Sequence, residues 1–282
     1  SIAVSPGSVA GGAGATATAT LNVAAPAGGA VVSLVSSNTG AAKVPASVTV
    51  PAGATSASFA VSTANPGTTT TVALGGTYGG NARAALLGVT GTRGGAVLPA
   101  PPSGVFIDPP WLDPTPEGAN GTVQITWFGS LSSLTLTVAS GSLPPGETLI
   151  SPFRPLTAAL QGIPTIPGTY AFVMKFTDAS GSSFAWPYVW QIGPPAPLVV
   201  DQANFGPGTV GQAYDGGFFY GGGVAPYTWS IAAGALPPGL RLNSSTSEVT
   251  GTPTTPGTYA FTARLTDAKG ATLDTPETIT VS

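Results

Sequence analysis

Residues Gly251–Gly270 read GTPTTPGTYAFTARLTDAKG, and residues Gly162–Gly181 read GIPTIPGTYAFVMKFTDASG. Thirteen of the twenty positions are identical, at an offset of 89 residues. Each copy reads as a strand running into a tight turn. Alternation puts Tyr259, Phe261, Ala263 and Leu265 on one face, and Ala260, Thr262, Arg264 and Thr266 on the other. That period of two is expected where a sheet buries one face. The earlier copy points Tyr170, Phe172, Met174 and Phe176 inward and Lys175 outward. TDASG and TDAKG then reverse the chain, with the Asp side chain capping the turn and Gly181 or Gly270 taking positive φ.

The repetition extends further back. SGSLPPGETL (Ser140–Leu149) matches AGALPPGLRL (Ala233–Leu242) at an offset of 93, so the earlier copy holds four extra residues between Leu149 and Gly162, read as a loop insertion. Two units follow, 103–193 and 197–282, each of roughly the size of a seven-strand sandwich. GPPAPL (Gly193–Leu198) joins them as a short, semi-rigid Pro-rich connector. Residues 1–96 form a third unit with another rhythm, short alternating runs broken by Gly-Gly and Pro-Ala-Gly. GTRGGAVLPAPPSG (Gly91–Gly104) is the second linker. No stretch sustains apolar spacing at i, i+3 and i+4. The fold class expected is all-β: three tandem β-sandwiches joined by short Pro/Gly linkers.

Composition narrows the chemistry. Only 7% of the 282 residues are charged, against about 25% in an ordinary soluble domain. Eight basic residues are scattered through a chain of net charge −3, so no basic stripe is available for a nucleic-acid backbone. His and Cys are absent, which removes imidazole bases, thiolate nucleophiles, disulfides and most zinc sites. No apolar run approaches the roughly 18 residues of a membrane helix. No leader or Leu-Pro-x-Thr-Gly signature is visible, and the chain reads as either a mature protein or a piece of a longer one.

LPPGL followed by TGTPTTPGTYAFTARLTDAKG, with PYTWSI (Pro226–Ile231) before it, resembles the bacterial putative-Ig family, which is related to cadherin-like and dystroglycan-type modules. The resemblance covers nearly all of residues 205–282 and the second unit from Leu143 onward. The front of the second unit departs, with ITWFGSLSSLTLTV where PYTWSI would stand. Residues 1–90, through VPASVTVPAGATSASFAVST, resemble another bacterial immunoglobulin-like repeat. These resemblances imply tandem immunoglobulin-like sandwiches in extracellular bacterial proteins such as adhesins, surface layers, stalks and fibres, more often spacers or binding modules than catalysts.

No catalytic, cofactor or metal residue stands out. The eleven acids are dispersed; Asp108, Asp113 and Glu117 lie near one linker and read as solvated acids of a Pro-rich loop, and Asp178 and Asp267 as turn formers. The aromatics carry more information. Trp190 and Ile192 align with Ile279 and Val281 and read as core. Trp186 and Tyr188 align with Thr275 and Glu277, so they are expected either to pack within their own domain or to meet a partner: the four-residue-longer loop with Phe153, a neighbouring domain, another subunit or a sugar. Three consecutive aromatics in GGFFYGGG force Phe219 away from Phe218 and Tyr220. Ile2 and Val4, in the alternating SIAVSPGSV, mark the strand most suited to donation to a neighbouring sheet. The function expected is a non-enzymatic extracellular or cell-surface structural protein, self-assembling into a filament, sheath or surface layer by end-to-end or strand-exchange contacts, with few charges to oppose association. The alternative is an adhesin, a carbohydrate-binding arm or a passive spacer of a larger secreted protein. No cofactor is expected.

Overall fold

The structure, a computed structural model, describes residues 1–129, 133–154 and 156–282, and every regular element among them is a strand. It divides into two compact units, one of Ser1–Pro116 with Asn120–Gly193, the other of Glu117–Ala119 with Pro194–Ser282.

The first unit begins with nine strands: β1 (Ile2–Ser5), β2 (Ser8–Ala10), β3 (Ala15–Thr20), β4 (Ala30–Ser36), β5 (Ala42–Lys43), β6 (Ser47–Val50), β7 (Ser56–Thr63), β8 (Thr70–Tyr78) and β9 (Asn81–Thr90). They form sheets of order β1-β3-β7-β5 and β2-β9-β8-β4-β6. The core between them is built from small residues. In β3 the run ATATAT buries Ala15, Ala17 and Ala19 and turns its threonines outward or to the margin. β-branched Thr suits an exposed strand position, and Ala lets the sheets close.

Eight more strands complete this unit: β10 (Phe106–Asp108), β11 (Thr115–Pro116), β12 (Gly121–Phe128), β13 (Leu134–Gly141), β14 (Glu147–Arg154), β15 (Thr157–Gly162), β16 (Gly168–Asp178) and β17 (Ser183–Gly193). Their sheets run β10-β12-β15-β14 and β11-β17-β16-β13. Large rings fill this second core: Trp127, Trp190, Tyr188, Phe172 and Phe176 are all fully buried. Phe176 stacks on Phe184 at 4.9 Å and meets Trp127 edge-on at 6.4 Å, the two arrangements that aromatic quadrupoles favour.

The second unit holds β18 (Val199–Asn204), β19 (Tyr214–Gly221), β20 (Thr228–Gly234), β21 (Leu240–Leu242), β22 (Val249–Gly251), β23 (Gly257–Thr266) and β24 (Thr272–Val281). The sheets are β18-β19-β22-β21 and β20-β23-β24. Trp229 is the centre of this third core, stacked on Phe218 at 4.3 Å.

The repeated strand–turn is the β16–β17 hairpin in one sandwich and β23–β24 in the other, with both turn glycines at positive φ. Asp178 Oδ1 accepts from the Ser180 and Ser182 amides, and Asp267 Oδ1 from those of Lys269 and Ala271. Asp267 adds a bond that Asp178 lacks: its Oδ2 accepts from the Val224 amide at 3.0 Å.

Two expectations are corrected, on the extra residues of the second sandwich and on Glu117. The four extra residues of the second sandwich lengthen strands rather than a loop, since β14 pairs with β15 from Glu147 to Arg154 where β21 pairs with β22 over three residues only. Within ITWFGSLSSLTLTV, the place of PYTWSI falls on the later part, LTLTV. Trp127 lies in β12, in the opposite sheet, and Leu136 of β13, paired with Phe176, occupies the place of Trp229, paired with Leu265. Glu117 is not a solvated acid: it is buried in the second unit, with its carboxylate 2.7 Å from Lys269 Nζ.

Candidate functional site

The first and second sandwiches share a sheet-to-sheet contact inside one compact unit. In β8 seven consecutive residues, Thr71–Thr77, are buried, so both of its faces are covered. One face closes the first core. The other meets the outer face of β16 and β17, where Ala73 packs with Val173 and Ala185, and Ala82 with Ala171 and Val189. Gly75 makes the close approach possible, because a Cβ there would sit 2.9 Å from Val35 Cγ1 and would overlap Val189 Cγ2. Polar groups at the margin are matched. Ser140 Oγ donates to the Thr71 carbonyl at 2.8 Å, and Ser37 Oγ and Ser140 Oγ are 2.9 Å apart. The linker is strapped across the joint: Leu98 N donates to Thr71 Oγ1, and Pro99 O accepts from the Ala185 amide.

Beside this contact the two sandwiches leave a groove of about 490 Å³. Arg83 and Leu86 of β9 form one wall, Trp186 and Pro187 of β17 another, and Pro110 and Trp111 the rim. Trp186 is half-buried, and its indole N–H donates to the Pro110 carbonyl at 3.1 Å. Trp111 is 44% exposed. The Arg83 guanidinium lies over the Trp111 ring, its Cζ 3.8 Å from the centroid, and Nη1 donates to the Ala82 carbonyl. Among the described residues no acidic side chain lines the groove.

The residues singled out from sequence fall in different places. Trp186 and Tyr188 share the inward face of β17 with Trp190. Tyr188 is only 1% exposed, and its hydroxyl donates to the Pro109 carbonyl at 2.9 Å. Burial, with Asp108 adding to it, drives the phenol pKa up. Of the two readings of Tyr188, packing within its own domain is the one the burial supports, and its contact role is corrected. Its partner is the Pro109–Pro110 loop of its own sandwich, which caps an end that β24 leaves more open. There Glu277 pairs with Phe261 as Tyr188 pairs with Phe172, and partial burial raises the Glu277 pKa. Phe219 does face away from Phe218 and Tyr220, and is 62% exposed. Ile2 and Val4 are half-buried on the first core, in β1, which is paired to β3 at the edge of its own sheet. The groove brings none of Tyr188, Phe219, Ile2 and Val4 to Trp186. Arg83, Trp111 and Pro110 carry no signal in the sequence, because neither Arg83 nor Trp111 has a counterpart in the repeat.

Among the described residues no three of Asp and Glu gather as a cation site would require. Asp267, almost fully buried, is held by three backbone amides. Desolvation raises its pKa, but donation from the Ala271, Val224, Lys269 and Gly270 amides outweighs this and the net shift is downward. A depressed folded-state pKa means that its stabilisation is complete above the unfolded value, about 3.9, and is lost as pH falls through the lower folded value. Urea unfolding of the third sandwich should therefore weaken steeply below about pH 4. Asp267→Ala should flatten that dependence and, by orphaning buried amides, cost about 1–3 kcal/mol at pH 7. An unchanged pH slope in the variant would refute the assignment.

Paired sheets repeated three times make this a tandem immunoglobulin-like β-sandwich protein. Residues 196–282 match the family described as "Putative Ig domain". No curated protein sequence matches the chain. Among solved structures it is similar to an endo-fucoidan hydrolase of glycoside hydrolase family 107, at 15% identity and a TM-score of 0.43, covering 96% of this chain and 42% of that one. It is also similar to Sidekick-1 immunoglobulin domains 1–5 (12% identity, TM-score 0.41, 94% of this chain and 58% of that one). The I9–I11 tandem of titin follows at 7% identity and a TM-score of 0.31, covering 100% and 99%. The chain thus spans less than half the length of the fucoidan hydrolases it is similar to.

Proposed function

We propose that the chain is a non-catalytic structural protein of an extracellular surface, whose copies associate through apolar contacts. The observation that carries this reading is a pair of exposed rings. Phe106 and Phe128 are register partners on β10 and β12, and they stand 68% and 55% exposed. Two large rings side by side in water, on a chain with 19 charged residues, favour burial against a second copy over solvation. Phe219 offers a further apolar point on the third sandwich. Strand exchange through β1 is the less favoured route, since it would strip Ile2 and Val4 from their own core. Sedimentation velocity across a hundredfold concentration range tests the proposal. Association should appear and should fall at least tenfold when Phe106 and Phe128 are both changed to Ser. A single monomeric boundary at every concentration would overturn it.

A second reading, an arm that contacts carbohydrate, is favoured by the groove between the first two sandwiches. Its rim and walls of Trp111, Trp186, Pro110 and Pro187 are rigid rings that lose little entropy on binding.

A further inference from the structure

We propose that this groove binds an acidic polysaccharide of the polyuronate class, pyranose rings bearing carboxylates, with Arg83 as the anion partner. The proposal rests on the carbohydrate-contact reading. The groove, at about 490 Å³, lies within the range of small-ligand sites. Its apolar surface is ring-shaped and rigid, which suits the C–H face of a pyranose. Its charge has one sign. Arg83 is the one ionisable side chain in the lining among the described residues. Of the other basic groups, Arg264 and Lys269 pair with Asp274 and Glu117, whereas no carboxylate lies within ion-pair distance of Arg83 among the described residues. One of its five N–H donors is spent on the Ala82 carbonyl. Stacking on Trp111 holds the guanidinium plane in place, and a planar fork pre-set in this way is matched to a carboxylate.

An extended peptide is disfavoured by the same wall. A strand added to the outer edge of β17 needs its N–H donors, but Pro187 has none and the Ala185 amide is already given to Pro99.

The test is affinity electrophoresis of the full chain through gels containing polygalacturonate or, separately, neutral dextran. Polygalacturonate should retard the chain and dextran should not. Raising salt from 50 to 500 mM should weaken retardation, because the ion pair is partly exposed. Arg83→Gln should weaken apparent affinity about tenfold, the value of one charge-assisted contact, and Arg83→Lys should restore part of it. Equal retardation by dextran, or retardation of Arg83→Gln like the parent, would overturn the acidic-glycan proposal while leaving carbohydrate contact standing. No retardation by either polysaccharide would overturn both. Displacement of polygalacturonate by a Glu/Pro-rich peptide at equal affinity would overturn the choice of glycan over peptide. Should Arg83→Gln fold poorly, hydrogen exchange of the parent chain decides: galacturonate oligomers should protect Ala82–Leu86 and the segment around Trp111, and protection confined elsewhere would refute the site.

Discussion

Ala185→Asp should separate the unfolding of the first two sandwiches. Ala185 is fully buried between Ala73 and Val173, in a contact whose other members are Leu86 and Leu98. A carboxylate placed there faces one cation, Lys175, its register partner and the counterpart of Arg264, but inside the contact the pair loses the water that Asp274 and Arg264 keep. Burying an ion pair in place of an apolar contact costs on the order of 1–4 kcal/mol, or the carboxyl protonates and carries part of that cost as a raised pKa. The loss falls on the contact rather than on either core, since Ala185 points away from the side of β17 that holds Tyr188 and Trp190. Calorimetry of the parent chain should show the first two sandwiches melting together. The variant should show a split transition, with the lower one recovering as pH falls toward 4. A single unshifted transition would mean that the two sandwiches are thermodynamically independent. The third sandwich supplies the control. Its equivalent of Ala185 is Asp274, on an exposed face, where Arg264 holds it at 2.7 Å.

Trp229→Ala should have the second large effect, a loss of about 3–5 kcal/mol in the third sandwich. Trp229 is 1% exposed, stacks on Phe218 at 4.3 Å with planes 11° apart, and meets Tyr220 edge-on at 5.3 Å. Removing the indole leaves both rings facing a cavity. Trp229→Phe should lose much less, about 1–2 kcal/mol. The indole N–H has no hydrogen-bond acceptor among the described residues, so the smaller ring also removes a buried donor. Denaturant unfolding followed by far-ultraviolet circular dichroism would separate the two. Equal losses for Phe and Ala would show that ring stacking contributes little.

Much of the joint between the first two sandwiches is written in the repeat, on the outward face of its strands. The aromatics Trp186 and Tyr188 have polar counterparts, Thr275 and Glu277. They proved to be inward residues of a more fully closed core. The informative differences lay on the other face of the same strands. Val173, Ala185 and Val189 are apolar where Thr262, Asp274 and Thr278 are polar. An outer face that is polar in one copy and apolar in the other has acquired something to cover it, and in the first unit that cover is β8 and β9. β8 carried a matching sign: VALGG is apolar at successive positions rather than alternate ones, the mark of a strand buried on both faces.

The sequence by itself determined the strands, the turns and the sandwich repeat. These follow from period-two alternation, from Asp and Gly in the turns and from β-branched and small residues, all of which act over a few neighbours. Only the tertiary structure decided that Tyr188 is sealed beneath Pro109, that Trp186 meets Pro110, and that Arg83 stacks on Trp111 beside them. These contacts join residues 28–79 positions apart, and neither periodicity nor local propensity constrains which distant side chains a packed surface brings together.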